Sequence, residues 1–350
     1  MKKRLLIILA CAVLVLCTAC GEREKDVTKA EDVSPKKIQI GMSFDSFVIE
    51  RWERDKDVFV STAKELGAEV NVQNANGDIE KQKEQINYFI KKGMDVIVIV
   101  CIDSDSLSDE IKKIKDAGIK VIAYDRLINN ADVDLYISFD NKRVGTLMGE
   151  AFVEKRLPEG KVLMIGGSPT DNNVKMVEEG FLEVMEANGL SVVDSIHCIG
   201  WRAETAADYI YDHENVVSQV DAIMCGNDNV AALTIRALAE TRLAGNILVT
   251  GQDADLDACQ RIVEGTQLMT VYKPFEKLAE RAAECAIALA EKKVIEGEDV
   301  TTINDGKYDV PYIGLEPISV TRDNINEVII GSGFHLKEDV YMNVPGKMPK

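Results

Sequence analysis

Asp125 and Arg126 stand side by side directly after an apolar run, Val121 to Tyr124, and Asp140 and Asn141 follow a second run at 135–139. An ionised carboxylate offers two acceptor oxygens, and a guanidinium offers five donors in a fixed fork. Together they are suited to gripping a hydroxyl-rich small molecule. Alone, the pair reads better as an ion pair closing a strand end. Other run ends supply matching chemistry: Arg51 and Trp52 after 38–44, Asn172 and Asn173 after 161–165, Trp201 after 192–199, Asn227 after 222–225, Asp253 after 247–250, and Lys273 after 269–272. Both tryptophans of the chain belong to this set. A pyranose presents a face of C–H groups that an indole covers well, while its edge hydroxyls meet Asp, Asn, Arg and Lys. One indole from each half of the chain therefore reads as a sandwich around a sugar ring.

Chemistry that breaks bonds finds less support. The three histidines, His197, His213 and His335, stand near no nucleophile motif, and Gly166-Gly167-Ser168-Pro169 matches neither a nucleophile elbow nor a phosphate loop. The carboxylates could suggest a glycosidase pair, but with 59 acids in the chain most must be solvated surface. Asp253, Asp255, Asp257 and Glu264 have the spacing of a calcium loop. Ala258 occupies the position that requires Gly, and a strand rather than a helix enters, so Asp255 is expected to cap a helix instead. Cys101, Cys198, Cys225, Cys259 and Cys285 form no CxxC and no Cys/His zinc spacing; buried inert thiols are expected. No enzymatic activity, cofactor or metal is predicted.

The elements that position these residues follow a regular beat. Strands at 38–44, 69–73 and 95–100 alternate with helices at 50–66, 79–92 and 107–117, each helix closed by Gly67, Gly93 or Gly118. A second series runs from the helix at 141–156 to the Ala-rich helix at 276–291, and the tail reads as strand and turn. Such repeats mean βαβ units and parallel sheets, whose ligands bind beyond the carboxyl ends of the strands. Nine or ten units exceed one comfortable sheet. The fold class predicted is α/β, two doubly wound parallel-sheet lobes, with an elaborated (β/α)₈ barrel as the alternative. Segments around Lys273-Pro274 and Glu316-Pro317 are expected to cross between lobes, since the residue before a proline resists helix.

Composition bounds the partners. The chain has 350 residues and a formal net charge of −18, which argues against nucleic acid or an anionic membrane surface as partner. Residues 1–20 combine a basic start, an apolar stretch at 5–16 and Cys17-Thr18-Ala19-Cys20, the form of an export signal. Cys after a small residue resembles a lipoprotein cleavage box, with Cys20 as the lipidated residue. The polar stretch 21–36 reads as a flexible tether. The expected location is extracytoplasmic, anchored to the cell membrane by lipid on Cys20.

Ile40 to Trp52, Ala123-Tyr124-Asp125-Arg126-Leu127-Ile128, Gly166 to Asn173, Gly251-Gln252-Asp253-Ala254-Asp255 and Met269 to Pro274 together resemble the D-xylose-binding proteins of bacterial ABC transporters, from about residue 37 to 336. The resemblance implies a type I periplasmic-binding-protein fold with a three-segment hinge. One lobe would comprise 37–141 plus 276–314 and the other 142–275 plus 315–345, with the ligand between them. It would place Trp52 and Trp201 on the two ring faces, with Arg51, Asp125, Arg126, Asn173, Asn227, Asp253 and Lys273 bonding the hydroxyls. The implied function is capture of D-xylose or a related aldopentose, by a monomer, for the transmembrane subunits of an ABC permease. A subunit reporting xylose occupancy to a membrane histidine kinase is the alternative. A sugar-responsive repressor would need a basic helix-turn-helix before Ile38, which the sequence lacks.

Overall fold

The computed structural model describes residues 37–49 and 51–349. The export signal, Cys20, the tether and Glu50 lie outside the described residues. The apolar runs form two sheets. The first has seven strands in the spatial order Val300–Asn304 (β11), Asp309–Leu315 (β12), Leu135–Phe139 (β5), Lys120–Tyr124 (β4), Val96–Ile99 (β3), Gln39–Phe44 (β1) and Glu69–Asn74 (β2). The second has six: Ile318–Thr321 (β13), Met269–Tyr272 (β10), Leu248–Gln252 (β9), Ala222–Cys225 (β8), Lys161–Gly166 (β6) and Ser191–His197 (β7). Central strands such as β3, β4, β5 and β8 are buried almost throughout because helices cover both faces, which is why they read as continuous apolar runs. The two sheets replace the barrel alternative. They are also mixed rather than purely parallel: β11 pairs antiparallel with β12, and β13 with β10. All three of these tail strands lie beyond the βα repeats that fix parallel pairing.

Helices fill the intervals: Arg51–Glu65 (α1), Ile79–Lys92 (α2), Ser108–Asp116 (α3), Asn141–Lys155 (α4), Asn172–Ala187 (α5), Glu204–Asp212 (α6), Glu214–Val217 (α7), Asp228–Glu240 (α8), Leu256–Glu264 (α9) and Phe275–Ala290 (α10). Local chemistry sets the limits of α2. The Asp78 carboxylate accepts the N–H groups of Glu80 and Lys81 at its start, and Gly93, at φ 66°, takes the left-handed turn that ends it. Two expectations need correction. Asp255 occupies the N-cap position of α9 but its side chain makes no capping hydrogen bond; its N–H is instead used by the buried Asp228 carboxylate at 3.1 Å. The tail beyond β13 is not strand-like: Asn326–Ile330 is a π turn and Lys337–Val340 (α11) is helical.

Three segments connect elements of the two sheets: the β5–α4 passage, the Lys273-Pro274 turn between β10 and α10, and Glu316-Pro317 between β12 and β13. Near them, Phe59 of α1, Leu278 and Ala282 of α10, and Ile329 and Tyr341 of the tail share one apolar cluster. Full burial of side chains of this size contributes about 1.5–3 kcal/mol each. The loop after β3 meets the loop after β6 directly. Ser104 N–H donates to Thr170 O at 3.0 Å, and Asn172 N–H donates to Ser104 Oγ at 3.1 Å. The strand ends of the two sheets thus enclose a cleft.

Candidate functional site

The cleft holds a pocket lined by Arg51, Trp52, Asp125, Arg126, Asn173, Trp201, Asp253 and Lys273. Residues scattered over more than two hundred positions meet there because all follow strand ends. Asn227 stands apart from this lining. Its side chain caps α8 by accepting the Val230 N–H at 2.9 Å, and it lines a separate neighbouring pocket with Asn229, Asp255 and Asp257.

The first-sheet wall is a cage of buried charge. β4 ends at Tyr124, and Asp125 then turns at φ 63°, with Arg126 N–H donating to Tyr124 O at 2.8 Å. That γ-turn is the rare, strained form with positive φ. Three side chains fix it by donating to the Asp125 carbonyl: Ser138 Oγ at 2.6 Å, Asn173 Nδ2 at 3.0 Å and Tyr136 OH at 3.2 Å. The Asp125 carboxylate is ion-paired with Arg51 and accepts a second bond from Asn173 Nδ2 at 3.0 Å. Burial alone would raise its pKa, but the charges of Arg51, Lys273 and Arg126 outweigh burial and hold it below the usual carboxylate range.

Arg126 reaches across the cleft. Nη1 donates to Asp45 Oδ2 at 2.8 Å and to Cys101 O at 2.9 Å, while Nε lies 2.7 Å from Asp171 Oδ2, out of line for a hydrogen bond. Asp171 belongs to the loop before α5, so this ion pair joins the two walls. Arg51 also lies 3.3 Å from Asp55, whose other oxygen accepts the Tyr124 hydroxyl. Burial pushes Asp55 up to about 7, against partial relief from Arg51. Trp52 is 2 % exposed, packed near Phe44, with the Arg51 guanidinium 4.4 Å from its ring centroid.

The second-sheet wall is built differently. Trp201 sits on a single 3₁₀ turn in which Gly200 and Trp201 are both left-handed, at φ 62° and 60°. A bulky residue there is strained by about 1–2 kcal/mol. Its Nε1–H donates to Asp171 Oδ2 at 3.2 Å, and Gly200 N–H donates to Ser168 Oγ at 3.1 Å. Residue 167 must be glycine for the ring to lie where it does, since a Cβ there would stand 2.3 Å from Trp201 Cη2. Asp253, at φ 98°, faces Lys273 across an ion pair of 2.8 Å. Its loop is held by the fully buried Asp228, which accepts the Thr270 hydroxyl at 2.7 Å and the Gln267 amide at 2.8 Å as well as the Asp255 N–H.

Several lining residues were not among the predicted sugar contacts: Asn141, Asp171, Glu178 and Gln252. Asn141, Asp171 and Gln252 adjoin predicted strand ends and were within reach of the same argument. Glu178 lies inside α5 among other charged residues, and nothing in the sequence marks it. Of the buried lining atoms that make no hydrogen bond, Arg51 Nε, Arg126 Nε and Asp253 Oδ1 lie in ion pairs, whereas Arg51 Nη1, Trp52 Nε1, Arg126 Nη2 and Gln252 Oε1 do not. Burying such groups unpaired costs free energy, so donors and an acceptor stand ready for a polar ligand. Cys101, Cys198, Cys225, Cys259 and Cys285 are buried free thiols, and burial raises the pKa of each.

Two α/β lobes closing a polar, indole-walled cleft at their strand ends define a solute-binding protein. Residues 40–293 match the periplasmic binding protein domain, and the chain belongs to that family. It is 45 % identical over 314 residues to the D-xylose-binding periplasmic protein of Haemophilus influenzae, covering 87 % of this chain and 93 % of that one. It is 42 % identical over 313 residues to the D-xylose-binding periplasmic protein of Escherichia coli, covering 87 % and 93 %. Among solved structures it is similar to an ABC transporter solute-binding protein from Clostridium phytofermentans with bound β-D-glucose, at a TM-score of 0.80 and 29 % identity, covering 86 % of this chain and 99 % of that one. Proteins of this kind bind a solute and release it unchanged; they are not enzymes.

Proposed function

We propose that the protein is an extracytoplasmic receptor that captures D-xylose in the cleft and delivers it to an ABC permease. The observation that carries this reading is the lining itself: an indole from each wall, with unspent buried donors and an acceptor between them. Trp52 and Trp201 cover the ring faces. Arg51, Asp125, Arg126, Asn173, Asp253 and Lys273 hold the hydroxyls, and Asn227 serves from the neighbouring pocket. A neutral ligand suits this cage, in which Asp125 pairs with Arg51, and Asp253 with Lys273. The identity to D-xylose-binding relatives supports the choice of pentose.

Residues 37–141 plus 276–314 form one lobe and 142–275 plus 315–345 the other, and they part and close about the three connecting segments. The receptor acts as a monomer held at the membrane by lipid on Cys20. Calorimetric titration with D-xylose, ribose, arabinose, glucose and galactose tests the reading. Tight one-to-one binding of D-xylose with weak response to the rest is expected. Preference for another sugar would overturn the specificity, and no binding to any would overturn the receptor reading.

A further inference from the structure

Asp125 and Asp253 of the lining pair with Arg51 and Lys273. The lining also includes Gly166, Gly167, Val174, Val177 and Met224, with the Glu178 side chain beside Gly166. Glu178 lies one helical turn beyond Val174 on α5, so the two share a face. Its side chain is only 17 % exposed, and Oε1 lies 2.8 Å from His197 Nε2. Residue 166 makes room for it, since a Cβ there would stand 2.3 Å from Oε1. His197 ends β7, the edge strand, with its side chain 34 % exposed, and so steadies the carboxylate from the outer side. Among the described residues nothing donates to Oε2. Burial raises the Glu178 pKa, with relief only from His197. Oε2 is therefore a free acceptor in the lining, and a ligand that covered it without donating to it would leave it unpaired at a cost.

We propose that Glu178 is a specificity-determining residue of the sugar site, accepting a hydrogen bond from a sugar hydroxyl that the charged cage does not hold. The assignment rests on the sugar reading above. A sugar lacking that hydroxyl covers Oε2 without giving it a donor, which is penalised more heavily than a missing neutral bond.

Calorimetric titration of the intact protein, Glu178→Ala and Glu178→Gln with D-xylose and each of its monodeoxy analogues tests this. One analogue should bind wild type roughly tenfold or more weakly than D-xylose, the range for a hydrogen bond to a charged group. Glu178→Ala should cancel that ratio, binding the analogue and D-xylose alike. Glu178→Gln is nearly isosteric and keeps the test open should the alanine variant not fold; a shrunken ratio supports the assignment. Ratios unchanged from wild type in the variants would overturn it, however weakly they bind overall. Wild type binding none of these sugars would overturn the sugar reading, and this assignment with it.

Discussion

The two walls of the cleft solve one problem with opposite materials. On the first-sheet side, Arg51, Asp55 and Asp125 are almost wholly buried and committed to one another, and the equally buried Arg126 to Asp45 and Asp171. On the second-sheet side, Trp201 is partly exposed on a short strained turn, fastened by one bond to Asp171 and seated on Gly167. The first wall is part of the folding core: Trp52 belongs to the same apolar cluster as α1 and α10. The Trp201 turn is a surface feature that the core tolerates. Charge that must stay buried is safest where the fold already holds it, whereas an indole that only covers a ligand can sit on a turn.

The contrast predicts that the same class of substitution has different consequences on the two sides. The largest effect should come from Arg126→Ala, which leaves Asp45 and Asp171 buried without their cation. Breaking such a pair costs about 3–5 kcal/mol of stability, readable as a lowered midpoint in denaturant unfolding. A midpoint within error of wild type would mean the first wall is no part of the core. Trp201→Ala should show the reverse pattern. Sugar affinity should fall by at least about 1 kcal/mol, while stability holds because the ring stands on a turn outside the core and is fastened by one hydrogen bond. Affinity equal to wild type would remove Trp201 from the site.

Between the walls, Ser104→Ala removes the hydroxyl that accepts the Asn172 N–H. A single hydrogen bond of this kind is worth about 0.5–1.5 kcal/mol. Sugar should dissociate faster from this variant, although Ser104 is not among the residues lining the cavity. Stopped-flow release reads the effect, and an unchanged off-rate would show that the loops meet without latching.

The smallest effect concerns protons. Burial raises Asp55 from 3.8 to about 7, so the folded chain binds a proton there more readily than the unfolded chain. The stability from this group is full below about pH 4 and is lost as pH rises through 7. Burial, partly relieved by the Thr270 hydroxyl, places Asp228 at about 7 as well, with the same sign. Asp125 works in the other direction: its lowered pKa gives stability that is present above the ordinary carboxylate range and lost as pH falls through its folded value. Denaturant midpoints should therefore rise between pH 8 and pH 5. Asp55→Asn should flatten that rise, and an equally steep rise in the variant would assign the protons elsewhere.

Most of the architecture was legible because buried parallel strands and glycine-closed helices have strong local signatures. β8 begins and ends where the apolar run 222–225 places it, and α2 spans the 79–92 expected of its helix. The tail was less legible. The segment 326–340 turns helical through packing against α9 and α1 rather than through its own periodicity, as in the Arg54 contact with Phe334 O at 3.1 Å. At the site, proximity to a strand end was enough to place Asp125, Arg126, Asp253 and Lys273 in the lining. It could not tell that Asn227 would spend its oxygen on a helix cap, because capping and ligand-binding amides occupy the same positions. Nor could it find Glu178, whose role depends on a glycine twelve residues earlier and a histidine nineteen residues later.

The central claim is that one sugar ring is held between the two walls, and a crystal structure of the D-xylose complex tests it most directly. The predicted result is the pyranose between the Trp52 and Trp201 rings, with hydroxyls on Arg51 Nη1, Arg126 Nη2 and Gln252 Oε1. A sugar bound elsewhere, or one in the cleft that leaves Trp201 and these three atoms untouched, would contradict the account.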